Sequence, residues 1–206
     1  IASPGGSIFI YGGDYSTPIT IDKFLAPIRI AVNPSTPTQT AVALGGAWTL
    51  SESATFSLLG ATTLRFSSTI DADVDASAES LTINGGAASA VEFRGAVGGT
   101  QPLGALTTDA GGATRIGANI TTDGTQSYGD DVAMLADATL GTGVGSGDLQ
   151  FHGSVSAATS GVDLTWSTSD GDIAATGAVG GGANALQSLT VTSARNVTTS
   201  STLSVA

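Results

Sequence analysis

Leu64-Arg65-Phe66-Ser67-Ser68-Thr69-Ile70 lies over Val91-Glu92-Phe93-Arg94-Gly95-Ala96-Val97 without a gap. The same frame fits Leu149-Gln150-Phe151-His152-Gly153-Ser154-Val155 and Ile173-Ala174-Ala175-Thr176-Gly177-Ala178-Val179. Apolar residues hold the first, third and seventh places of all four, and mostly polar ones hold the second and fourth. Period-two patterning of this kind belongs to a strand with one face turned inward. Leu81, Leu106, Leu164 and Leu189 follow 15 to 17 residues after each start, so the repeating unit is a couplet of short strands. The starts at 64, 91, 149 and 173 are 27, 58 and 24 residues apart, and the longest interval holds two units if the stretch near Ile116 to Ile120 is a degenerate copy. A unit of 24 to 29 residues made of short strands and tight turns predicts a solenoid in which each unit is one coil. The competing β-sandwich gives no reason for like residues to recur at like places. The expectation is an all-β parallel β-helix of about eight coils, roughly 40 Å long, with Phe66, Phe93 and Phe151 in one interior row.

Outward from these segments the texture holds from about Ala41 to the end: runs rich in Val, Ile, Leu, Phe and Thr, broken by Gly, Ala, Ser and Asp. The first 40 residues differ. Pro4, Pro18, Pro27, Pro34 and Pro37 all fall there, against Pro102 alone afterwards. Proline removes a backbone donor and biases its predecessor toward extended conformations. Residues 1–40 are therefore read as an irregular cap or edge strands, and residues 41–206 as the β-helix. Ile1-Ala2-Ser3-Pro4-Gly5-Gly6 lacks the basic start and apolar run of a signal peptide. A mature or excised piece of something longer is expected.

Composition narrows the function. The chain has 206 residues, 41% hydrophobic and only 11% charged, with a net charge of −11. Ser, Thr, Asn and Gly must supply much of the surface polarity, and the apolar content argues against disorder. Six basic residues, Lys23 among them, are scattered along the sequence, so neighbouring residues build no polybasic patch for nucleic acid or anionic lipid. Membrane insertion is not expected, since no run approaches the roughly 20 apolar residues of a spanning helix. Without cysteine there is no disulfide, thiol nucleophile or zinc-thiolate site.

Phe93-Arg94-Gly95-Ala96-Val97-Gly98-Gly99-Thr100-Gln101-Pro102-Leu103, Ser80-Leu81-Thr82-Ile83-Asn84-Gly85-Gly86 and Asn119-Ile120-Thr121-Thr122-Asp123-Gly124-Thr125-Gln126-Ser127-Tyr128 resemble repeats of filamentous haemagglutinin-type bacterial surface proteins. The likeness covers about residues 60 to 200. It implies a long right-handed β-helical fibre, secreted or held at the bacterial surface and used for attachment or aggregation. The partners it suggests are a host or neighbouring-cell surface, a glycan, or further copies joined through strand edges. It carries over no catalytic residue and no cofactor.

Several residues invite a sharper reading. Asp71, Asp73 and Asp75 share one face of an extended segment, as oxygen ligands for calcium would. Ala76 and Thr82 stand where a calcium loop needs glycine and glutamate, so a solvated acidic turn is the better reading. His152, the sole histidine, takes an outward fourth place near Arg94 and lacks an evident acid–base partner. A polysaccharide-binding or polysaccharide-cleaving β-helix is the alternative. Cleavage would need acids clustered on one outward face, and the outward places hold Arg65, Glu92, Gln150 and Ala174 with no second carboxylate. The glycine runs 95–99 and 141–147 lack a P-loop lysine. The pairs Thr107-Thr108, Thr121-Thr122 and Thr198-Thr199 lack the regular ladder of an ice-binding face. Asn119 and Asn196 open N-glycosylation triplets.

Overall fold

A computed structural model describes residues 9–11, 14–15, 19–21, 28–31, 41–74, 79–143, 145–181 and 184–206. Every described element is a β-strand, and every strand pairing is parallel. One wall is a nine-stranded sheet that runs from Phe9–Tyr11 through Ala54–Leu59, Ser80–Asn84, Ala105–Thr108, Gln126–Tyr128, Leu149–Phe151 and Asp172–Ala175 to Asn196–Thr199. A second wall has seven strands, including Thr63–Phe66, Ala90–Phe93, Ala113–Ile116 and Asp131–Met134. The third wall comprises a three-stranded and a four-stranded sheet joined through Val97, which bridges Ile70 on one side and Ile120 on the other. The chain visits the walls in turn and returns one strand further along, which makes a β-solenoid. Described strands of the first 40 residues pair in parallel on the same walls, Ile28–Ala31 beside Ala54–Leu59 and Ile19–Ile21 beside Trp48–Leu50.

Alternation drives this architecture. Along Thr63–Phe66, Ala113–Ile116 and Asp163–Thr168, buried and half-buried residues alternate strictly. Parallel pairing puts inward residues of successive coils directly over one another. Leu64, Val91, Thr114, Val132 and Val155 form one interior row, and Phe66, Phe93, Ile116, Met134 and Ala157 form the next. Leu81, Leu106, Gln126, Leu149 and Ile173 form a row on the nine-stranded wall. All these side chains are buried. At roughly 25 cal/mol per Å² of apolar area their burial drives the coiling.

The observed rows revise the expected one. Phe66 and Phe93 do stack, at 5.7 Å with their rings 5° from parallel. Phe151 belongs to another wall, between Tyr128 at 5.2 Å and Trp166 at 4.9 Å. The segments starting at Leu64 and Val91 lie on the seven-stranded wall, and those starting at Leu149 and Ile173 on the nine-stranded one. The copy near Ile116 is real: Thr114 pairs with Val91, and Ile120 meets Val97. The local phrase is conserved in shape even though the wall changes. Gly98 and Gly180, each following the seventh-place valine, have φ of 66° and 73°. A Cβ at either would collide with a main-chain oxygen of the next coil, Thr121 or Ser204, so only glycine suits these corners.

Coil length varies, and the interior chemistry varies with it. Leu64 pairs 27 residues on with Val91, whereas Thr114 pairs only 18 on with Val132. The short coil holds a buried polar layer. Gln126 donates through Nε2 to the carbonyls of Gly141 (2.7 Å) and Ile120 (3.3 Å) and accepts at Oε1 from the Tyr128 hydroxyl (2.8 Å). The hydroxyl of Thr114 donates to that of Thr108 at 3.1 Å. Burial pushes the Tyr128 hydroxyl well above the ordinary phenol range, so it remains a donor at every physiological pH.

Candidate functional site

The outward side of the seven-stranded wall carries one column of register partners: Ala43, Arg65, Glu92, Arg115 and Ala133. Strands at about 4.8 Å spacing bring Arg65 and Arg115 to either side of Glu92. Arg94, two residues beyond Glu92 in the chain, reaches the same carboxylate. Glu92 Oε2 accepts from Arg65 Nε at 2.7 Å and from Arg94 Nε at 3.0 Å, and its Oε1 from Arg115 Nη1 at 3.5 Å. The Glu92 side chain is 8% exposed, while those of Arg65, Arg94 and Arg115 are 35%, 50% and 39% exposed. One covered carboxylate is thus roofed by three open guanidinium groups. Burial pushes the Glu92 carboxyl up, but the hydrogen bonds and charges of Arg65 and Arg94 outweigh it and hold it below the ordinary glutamate range.

Three of the six basic residues of an otherwise acidic chain meet here. The expectation of scattered cations fails in space because the repeat converts separations of 27 and 23 residues into adjacent rungs. Arg115 is the member that sequence reasoning missed. It holds the second place of the degenerate copy Thr114-Arg115-Ile116-Gly117-Ala118-Asn119-Ile120, where Arg65 and Glu92 stand in the other copies. Extending that alignment two residues upstream finds it.

Several aspartates join one coil to the next. Asp71 Oδ1 accepts the backbone N–H groups of Thr100 (2.8 Å) and Gln101 (3.3 Å), 29 and 30 residues on. Asp131 holds the N–H and hydroxyl of Ser154, Asp137 the N–H of Asp163, and Asp148 the N–H of Asp172. Of the other calcium candidates, Asp73 donates its N–H to the Leu50 carbonyl, and Asp75 lies outside the described residues. Among the described residues, no group of three His, Cys, Asp or Glu is arranged to hold a metal ion.

His152 is exposed on the nine-stranded wall, where its N–H donates to the Tyr128 carbonyl. It therefore does not share a face with Arg94, as the repeat alignment suggested. Asn119 accepts the Thr139 N–H at 2.8 Å, and the Asn196 amide donates to Asp172 at 2.8 Å. Lys23 lies outside the described residues.

Val191, Val197, Leu203 and Val205 continue the interior rows of Trp166, Ile173, Val179 and Leu186. The latter four are at most 1% exposed, whereas the former are 40%, 49%, 56% and 50% exposed. The sequence matches no family model, and comparison with curated proteins and with solved structures finds no match.

Proposed function

We propose that this chain is a shaft segment of a bacterial surface or secreted fibre, built to hold attachment sites away from the cell and catalysing no reaction. The observation that carries the proposal is the register of parallel ladders from coil to coil, in which aspartate side chains bridge one coil to the next. A solenoid of parallel strands can be extended coil by coil, because each coil offers its strand edges to the next. Each internal coil covers the inward side chains of its predecessor and extends its ladders.

The repeats' likeness to filamentous haemagglutinin-type proteins fits this reading, with export to the surface and about eight coils of right-handed β-helix. Right-handedness is favoured because twisted parallel strands are joined almost always by right-handed crossovers. These aspartates are engaged in tying coils together, which supports mechanical rather than catalytic use. Its partners are a host or neighbouring-cell surface, a glycan, and other copies through strand edges.

Electron micrographs and sedimentation across a concentration series test the proposal. Rods that lengthen end to end as concentration rises are expected. Compact particles of unchanging mass, or turnover of a polysaccharide panel, would overturn it.

A further inference from the structure

We infer that Arg65, Arg94 and Arg115 form a binding site for the carboxylates of a uronic-acid polysaccharide. Three guanidinium groups against the one carboxylate of Glu92 leave a net charge of +2 on a chain whose total is −11. Glu92 takes one hydrogen bond from each arginine, and a guanidinium has five N–H donors in a planar fork. Glu92 itself demonstrates that the cluster holds a carboxylate at 2.7 to 3.0 Å. Its covered position fixes the arginines from below and leaves their outer parts to solvent.

The surroundings favour a long, flat ligand. Ala43 and Ala133 continue the column beyond Arg65 and Arg115, and Thr63 and Ala113 precede the two arginines in their strands, so the neighbours on these sides are small. Two acids of this wall are held by other groups: Asp130 accepts the Gly112 N–H, and Asp131 accepts from Ser154. Although their strands are two rungs apart, Arg65 and Arg115 converge with Arg94 on Glu92, so their remaining N–H donors form one compact outward patch. A polymer that presents carboxylates repeatedly can meet these outward donors with successive groups. Arginine suits this task because its fork matches a carboxylate in two parallel hydrogen bonds.

Polygalacturonate, heparin and neutral dextran, titrated into the intact protein at low salt, test the site. Polygalacturonate is expected to bind and dextran not to, with affinity falling as salt rises. The double variant Arg65→Gln/Arg115→Gln should weaken binding by about tenfold or more. Glu92→Gln keeps the side-chain shape and raises the local charge, so it should tighten binding severalfold. A purely structural ion cluster predicts no such gain. Absence of polygalacturonate binding, binding unchanged by the double variant, or Glu92→Gln failing to tighten it would each overturn the inference. Binding of heparin alone would overturn the assignment to carboxylates.

Discussion

The interior from Trp48 to Phe93 and the interior from Thr108 to Tyr128 are built on the same ladders with opposite chemistry. In the first, Trp48, Phe56 and Phe66 meet edge to face at 5.5 to 6.0 Å, and Phe66 stacks on Phe93. In the second, threonines and a glutamine take row positions held elsewhere by leucine, isoleucine and valine. Coil length separates them. The 27-residue coil packs ring against ring, whereas the 18-residue step from Thr114 to Val132 carries one ring, Tyr128, whose hydroxyl joins Gln126 and the Gly141 and Ile120 carbonyls in a hydrogen-bonded layer. Those carbonyls need donors, and Gln126 supplies them. The long coils are stabilised by apolar area and shape, and the short coil by complete hydrogen bonding.

The two regions should therefore break differently. The largest effect is expected from Phe66→Ala, which removes a ring packed against three others and should cost about 3–5 kcal/mol in denaturant unfolding. A loss under 1 kcal/mol would mean the aromatic region is not a packed core. Gln126→Leu keeps the volume but strips partners from the Gly141 carbonyl and the Tyr128 hydroxyl, at about 2–3 kcal/mol. Tyr128→Phe alone should also destabilise. Combined with Gln126→Leu it should cost less than the sum, because the hydroxyl no longer needs a partner. Strict additivity would dissolve the proposed layer.

Two acids sharpen the contrast on the surface. The folded state holds Glu92 below its ordinary value of 4.5, so its stabilisation is complete above that pH and is lost as pH falls through the lower folded value. Glu92→Gln should therefore flatten the loss of stability in acid, as read by denaturant midpoints down to about pH 3. Asp130 behaves oppositely. Burial raises its carboxyl, the negative charges of Asp109 and Asp131 raise it further, and the Gly112 N–H only partly offsets them. Its charged form is a cost at neutral pH that is relieved as pH falls through the raised value. Asp130→Asn keeps an acceptor for Gly112 and should stabilise the neutral protein by about 0.5 kcal/mol, the smallest effect here.

Much of this fold was legible in the sequence. The alternation of Leu64-Arg65-Phe66 and Val91-Glu92-Phe93 marks paired parallel strands, and Phe66 does stack on Phe93. Which wall a segment joins was not legible. Gly95-Ala96-Val97-Gly98-Gly99 and Gly177-Ala178-Val179-Gly180-Gly181 make the same corner at different turns of the coil, because local sterics set the bend while coil length sets the phase. The short coil between Thr114 and Val132 shifts that phase and separates Phe151 from the Phe66 row. The arginine cluster was half legible. Arg65 and Glu92 share a repeat place, but Arg115 lies in a copy whose first residue is threonine rather than an aliphatic.

Register along the rod is the claim on which the interior rows and the arginine column both depend. The chain has no cysteine, so paired spin labels can be placed cleanly on the outward row Thr55, Thr82, Thr107, Ser127, Gln150 and Ala174. Measured by electron paramagnetic resonance from a label at Thr55, separations should grow by about 4.8 Å per coil and reach roughly 24 Å at Ala174, in narrow distributions. A separation that fails to increase steadily from Thr107 to Gln150 to Ala174 would contradict the solenoid.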